Sequence, residues 1–298
     1  MKANPSVQGS TLVVQVELMD RVKARTRRGF QLTIVTLLSL VMGCSTVPYT
    51  GRSQLMMMSE SQEAGLGADA YQQVLKESKI VTDPAVTQTV QEVGRRIAQV
   101  ADKTDYQWEF TVIDDPKQAN AFCLPGGKVA VYSGLFPVAQ DTGGLAAVIG
   151  HEVAHALARH GAERMSQATL VQLGAVGLSV GLGGTSAGTQ SAVMQAFGLG
   201  AQVGVLLPFG RSQEAEADHI GLILMAKAGY DPRNALSLWE RFEAKGGGNA
   251  PPEFLSTHPG YGTRQQHIRE WLPEAERYYQ VANAAPVEPL PGVRTASR

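Results

Sequence analysis

His151-Glu152-Val153-Ala154-His155 is the stretch from which the rest of this chain is read. Two histidines four apart on a helix lie about 40° from each other around the axis, so both imidazoles can reach one ion. Glu152 projects about 100° away from His151 and can hold a water instead of the metal. Neutral nitrogen ligands, an open coordination position and a carboxylate to take a proton from water are what zinc hydrolysis requires. Asp141-Thr142 supply N-caps for a helix that should run to about Gly161. Leu145, Ile149, Val153, Ala156 and Leu157 form its apolar face, while Gly144, Ala147, Ala154, Ala158 and Ala162 let another element come close to the histidines. A helix that is apolar or small nearly all round is a buried one.

The continuation excludes one zinc class. Metzincins would place a glycine at 158 and a histidine at 161, where this chain has Ala158 and Gly161. His160, five residues past His155 and about 140° round the helix, reads as structural or as a cap-region histidine. The third ligand is expected from Arg211-Ser212-Gln213-Glu214-Ala215-Glu216-Ala217-Asp218, which opens an apolar helix ending at Gly229. Glu214 and Asp218 share a stripe with Gly221 and Met225, and Glu216 points to the opposite side. The spacing assigns Glu214 as the third ligand. Asp218 is assigned as the carboxylate that accepts a ligand histidine's free ring N–H and fixes its tautomer. Acidic residues in a first turn also serve the helix dipole, which is the competing explanation.

With both motifs quoted, the chain resembles the zinc metallopeptidases related to the CAAX prenyl protease and HtpX, and within them the periplasmic lipoprotein branch of the BepA and LoiP type. Thr50-Gly51-Arg52-Ser53-Gln54-Leu55, Asn120-Ala121-Phe122-Cys123-Leu124-Pro125-Gly126-Gly127 and Ser256-Thr257-His258-Pro259 match as well, so the likeness spans roughly residues 48–272. It departs at Cys123, where a small residue is usual, and at Gly210, where a serine is common. The resemblance implies zinc on His151, His155 and Glu214, an acid–base role for Glu152 and an orienting role for Asp218. It also implies that His258 faces the zinc, either stabilising the oxyanion or filling the fourth site in a resting state; by itself it would be an ordinary loop histidine. Arg264, just after that loop, fits a supporting role.

The fold class that follows is α+β, mainly α: a zincin-like domain with a small β-sheet beside the active-site helix. Glu60 to Lys79 reads helical, Asp83-Pro84 caps a helix to about Ala101, and Trp108 to Asp114 alternates as a strand. Ala119–Leu124 and Lys128–Ser133 flank Pro125-Gly126-Gly127 as a hairpin, whose edge is either structural or a place where an extended substrate adds its backbone. Residues 169–209 hold two apolar Gly/Ala-rich stretches, read as a helical hairpin packed on the site rather than a membrane-dipping one.

Arg21, Lys23, Arg25, Arg27 and Arg28 precede an apolar stretch of about 13 residues and Val41-Met42-Gly43-Cys44. This reads as a lipoprotein signal over 1–43, with Met19 as a more ordinary start and Cys44 as the lipidated residue. An uncleaved anchor is the other possibility. The organisation expected is a lipidated linker over 44–58, the peptidase domain over 59–281 and a Pro-rich disordered tail over 282–298. The expected location is the periplasm of a Gram-negative bacterium, anchored by lipid to the outer membrane.

Cys123 has no intramolecular partner once Cys44 is spent, so no disulfide framework supports the domain. With a net charge of −1 and no basic patch after the signal, nucleic acid is not the expected partner. The reading that results is a zinc endopeptidase, one Zn2+ per chain, acting on misfolded or unassembled envelope proteins. The alternative is a latent protease that mainly holds outer-membrane proteins as a chaperone would. A polytopic prenyl protease is excluded because the chain lacks several long apolar spans.

Overall fold

The computed structural model describes residues 43–181, 210–246, 253–258 and 263–292. The chain divides into two units, 1–44 and 45–298; of Cys44 only the backbone, in strand β1 (Gly43–Thr46), is described. A tight turn leads into β2 (Ser53–Met56), closed by the Val47 N–H on the Arg52 carbonyl.

Helix α1 (Glu60–Glu77) starts at a capping box in which Ser59 accepts from the Gln62 N–H and the Gln62 side chain accepts from the Ser59 N–H. Helix α2 (Pro84–Val100) starts at Asp83, whose carboxylate accepts from the Ala85 N–H, and buries Val90, Val93 and Ile97. The sheet has β3 (Glu109–Ile113) parallel to β5 (Lys128–Tyr132), and β4 (Ala121–Leu124) antiparallel to β5 on its other side. The order β3-β5-β4 makes β4 an edge strand. Its hairpin turn needs Gly126 and Gly127, both at φ +86°.

A short helix, α3 (Phe136–Ala139), leads to α4 (Thr142–Leu157), capped by Asp141 accepting from the Gly144 N–H. Every residue of α4 is buried, as its all-round small and apolar character requires. It ends earlier than expected. Arg159 sits at φ +55°, and α5 (His160–Gly181) starts immediately beyond it. Arg159 is held there by α1 and the residues just before it: its Nε donates to Glu63 at 3.0 Å and its Nη2 to the Met58 carbonyl at 2.8 Å.

Helix α6 (Arg211–Lys227) packs across α4, followed by α7 (Asn234–Gly246), α8 (Glu253–Thr257) and α9 (Arg264–Ala275). The α4–α6 crossing is backbone on backbone. A β-carbon on Gly150 would lie 3.0 Å from the Gly221 carbonyl oxygen, and one on Gly221 would lie 3.0 Å from the His151 nitrogen. This mainly helical α+β architecture is the one expected.

Two expected boundaries change. Of the stretch 44–58, expected as a lipidated linker, residues 45–58 are held to the rest of the domain: Val47 and Met56 are buried, and the Gln54 amide donates to the Ala158 carbonyl at 2.9 Å. Residues 282–292 are not a disordered tail. Ala285 and Leu290 are buried, the Thr142 N–H donates to the Glu288 carbonyl, and the Leu290 N–H donates to the Gln140 carbonyl. Proline-rich chain docks here because backbone groups left open at the start of α4 accept and donate to it. Of the expected hairpin over 169–209, α5 accounts for residues up to Gly181, and 182–209 lie outside the described residues. Among the described residues no helix is long and apolar enough to cross a membrane.

Candidate metal centre

Helix α4 presents His151 and His155 on one side, and α6 brings Glu214 against them. His151 Nε2 and His155 Nε2 are 3.1 Å apart, His155 Nε2 lies 3.3 Å from Glu214 Oε1, and His151 Nε2 lies 3.4 Å from Glu214 Oε2. A fourth group joins them from the end of α8. His258 Nδ1 is 3.2 Å from His151 Nε2 and 3.1 Å from Glu214 Oε1, with its ring stacked on Phe254. All four residues are buried.

Zinc fits this cluster. An ion about 2.0–2.1 Å from each of four tetrahedral ligand atoms spaces those atoms about 3.3–3.4 Å apart, close to the edges observed. The hydrogen bonds agree. His151 Nδ1 faces Asp218 Oδ1 at 2.9 Å, so that nitrogen carries the proton and Nε2 keeps its lone pair for the cluster. His155 likewise turns Nδ1 away, to His160 Nδ1 at 2.8 Å. Two bare ring nitrogens 3.1 Å apart repel unless a cation lies between them.

Arg264, at the first turn of α9, supports the cluster from behind. Its Nε donates to Asp218 Oδ2 at 2.7 Å, its Nη1 donates to Glu214 Oε2 at 2.9 Å, and its guanidinium lies over the Trp239 ring at 3.6 Å. Buried ions survive only when compensated in this way.

Electrostatics follow the geometry. Burial pushes Glu214 up, but His258 and His155 outweigh it and hold the carboxyl well below its usual range. Burial likewise opposes ionisation of Asp218, and Arg264 beside it keeps its pKa lowered. Without an ion, burial would lower His151, yet Asp218 and Glu214 raise it to about 9, so metal binding has to displace a proton from its Nε2. His155 is held well below its usual value by burial, against the pull of Glu214.

Glu152 differs from Glu214. Burial raises its pKa, and its Oε1 accepts no hydrogen bond among the described residues, lying 3.4 Å from His258 Nε2. A buried carboxylate oxygen without a donor is placed to receive a proton. Cys123 is half-buried on β4, and its thiol is pushed well above the usual value, by burial first and then by Glu152.

Each residue assigned from spacing or resemblance therefore lies in one cluster: His151, Glu152, His155, Glu214, Asp218, His258 and Arg264. His160 and Glu216 were missed as parts of it. Sequence spacing placed His160 about 140° from His155 on an unbroken helix, and the left-handed Arg159 removes that premise.

Comparison with known proteins agrees with this geometry. Residues 84–272 match Peptidase family M48. The mitochondrial metalloendopeptidase OMA1 of Schizosaccharomyces pombe is 41% identical over 239 residues, covering 77% of this chain and 67% of that protein. The mitochondrial metalloendopeptidase OMA1 of Homo sapiens is 30% identical over 252 residues, covering 80% and 48%. The beta-barrel assembly-enhancing protease of Escherichia coli is 30% identical over 219 residues, covering 72% and 44%. These relatives overturn the expected location. The identity is higher to a mitochondrial enzyme than to the E. coli protein, so the Gram-negative periplasm and outer-membrane anchoring do not stand. The physical reason is that a basic cluster before a short apolar stretch is not specific to one compartment.

Proposed function

The chain belongs to Peptidase family M48 and is a zinc metalloendopeptidase; on that premise we propose the role of each residue in the cluster and the kind of substrate it takes. His151, His155 and Glu214 would hold the ion, with His258 placed to take a fourth position in a resting state. The observation that carries this is the set of edges of 3.1–3.4 Å among their ligand atoms. Zinc, when bound, supplies Lewis acidity and lowers the pKa of a water from 15.7 towards about 7.

The chain's own residues do the rest. Glu152 takes the proton of the attacking water and returns it to the amine that leaves. Burial, which raises its pKa, suits it to both steps. Asp218 keeps His151 in the Nδ1–H tautomer, and Arg264 holds Asp218 and Glu214 in place. With His258 Nδ1 in the cluster, four groups would surround a bound ion, and a catalytic site needs one of those positions open. His258 would therefore have to leave before water and substrate could enter.

Substrates are polypeptides with extended, unfolded segments, from misfolded or unassembled membrane proteins. The support is the β4 edge packed against α4, to which an extended chain can add its backbone with little demand on side chains. The name of the E. coli relative is in keeping with this. A mainly holding function gains nothing from the geometry.

The test is the purified full-length chain with casein. One zinc per chain and cleavage that stops on chelation are expected; cleavage that survives removal of the metal would sink the assignment.

A further inference from the structure

The outer nitrogen of His155 meets another imidazole. Its Nδ1 meets His160 Nδ1 at 2.8 Å, and His160 Nε2 meets Glu216 Oε2 at 2.9 Å. A carboxylate accepts only, so His160 Nε2 must carry the proton, which leaves Nδ1 of a neutral His160 as an acceptor. The 2.8 Å contact then requires the proton on His155 Nδ1 and a bare Nε2 facing His151 and Glu214. His151 obtains the same tautomer directly from Asp218.

Glu216 is fixed by residues far from it in the chain. Its Oε1 accepts from the Thr50 hydroxyl at 2.5 Å, and its Oε2 accepts from Arg52 Nε at 2.8 Å. Arg52 also donates through Nη1 and Nη2 to Glu163 on α5, at 2.6 and 2.9 Å, and Glu163 accepts from Gln213 on α6. His160, Glu163, Gln213 and Glu216 are buried, Arg52 is partly exposed and Thr50 is exposed, and the hydroxyl-to-carboxylate chain is continuous from the β1–β2 turn to His155.

We propose that His160 is a positioning residue that sets the tautomer and ring orientation of His155, and that Thr50 and Arg52 hold it there through Glu216. The N-terminal turn is thereby part of the metal site. This rests on His155 being a zinc ligand. Support of this kind typically alters metal affinity about 10–100-fold when removed.

Zinc affinity of the full-length chain, measured by chelator competition with zinc alone, tests the proposal without recourse to activity. His160→Leu, which can neither accept nor donate, is expected to bind zinc roughly 10–100-fold more weakly. His160→Gln offers an amide oxygen to His155 and an amide N–H to Glu216, so affinity should return to within about tenfold of the parent. A merely structural role would not separate these two variants. Should His160→Leu not fold, as judged by circular dichroism, the double variant Thr50→Val/Arg52→Met reads the same chain from its outer end, with an expected loss of about tenfold.

Parent affinity in folded His160→Leu, equal damage by Leu and Gln, or parent affinity in the double variant would each overturn the proposal. His155→Ala separates this from the premise. If it retains zinc, the ligand assignment itself is wrong; if it loses zinc while His160→Leu does not, only the positioning role fails.

Discussion

His258 Nδ1 lies 3.1 Å from Glu214 Oε1, inside the set of atoms that can hold one ion. An imidazole there competes with water for the same position. His258→Ala should raise basal cleavage of an unfolded substrate while zinc stays bound through the other three groups. Steady-state turnover of the two proteins at equal zinc content checks this; lower turnover in the variant would favour an oxyanion role instead.

Glu152 is beside the ligands without being one of them. Glu152→Gln should bind zinc stoichiometrically and lose cleavage by about 10²–10⁴-fold, the usual scale for a positioned acid–base group. Metal analysis of the variant, paired with an assay on casein, decides it. Loss of zinc would instead make Glu152 part of the binding set.

Arg264 compensates two buried carboxylates at once. Arg264→Met leaves Asp218 and Glu214 without their cation, and removal of one partner from such a pair costs about 3–5 kcal/mol. The midpoint of urea unfolding in the metal-free protein should drop accordingly. Added zinc should recover part of the loss, because the ion replaces some of the missing positive charge.

The α4–α6 contact tolerates no side chain at Gly221, where a β-carbon would stand 3.0 Å from the His151 nitrogen. Gly221→Ala must push apart the two helices that carry His151, His155 and Glu214. A cost of about 1–3 kcal/mol is expected, together with weaker zinc binding, seen as a smaller rise in Tm on adding the metal. An unchanged Tm response would show that the helices can separate without disturbing the ligands.

Acid should loosen the N-terminal turn. Burial alone would raise the Glu216 pKa, but hydrogen bonds from His160, Thr50 and Arg52 lower it from 4.5 to about 2. A depressed carboxyl stabilises the fold fully above the unfolded value and loses that contribution as pH falls from about 4.5 towards 2. The difference in urea midpoint between the parent and Glu216→Gln should therefore shrink over that interval. A difference that stays constant to pH 2 would contradict the bonding described.

Much of the site was legible because it is local or nearly so. The pair four apart on a small, apolar helix specifies two converging nitrogens, and Glu214 with Asp218 specifies a second carboxylate-bearing stripe. The hairpin at Pro125-Gly126-Gly127 and the cap at Asp83 were readable for the same reason, since turn and cap chemistry depend on adjacent residues. His258 and Arg264 were harder, because nothing in a loop's composition states what it faces; the first came from resemblance and the second from its place after that loop.

The sequence alone determined the metal chemistry, the two ligand-bearing helices and the mainly helical α+β class, because each depends on spacing within one element. Only the tertiary structure decided how α4 ends. Arg159 takes a left-handed conformation held by Glu63, and that turns His160 back onto His155. Only the tertiary structure, too, joined Thr50 and Arg52 to Glu216 and laid residues 286–290 along the start of α4. Those contacts link residues separated by more than a hundred positions. Their energy comes from burying paired polar groups, which no local pattern of apolar and polar residues encodes.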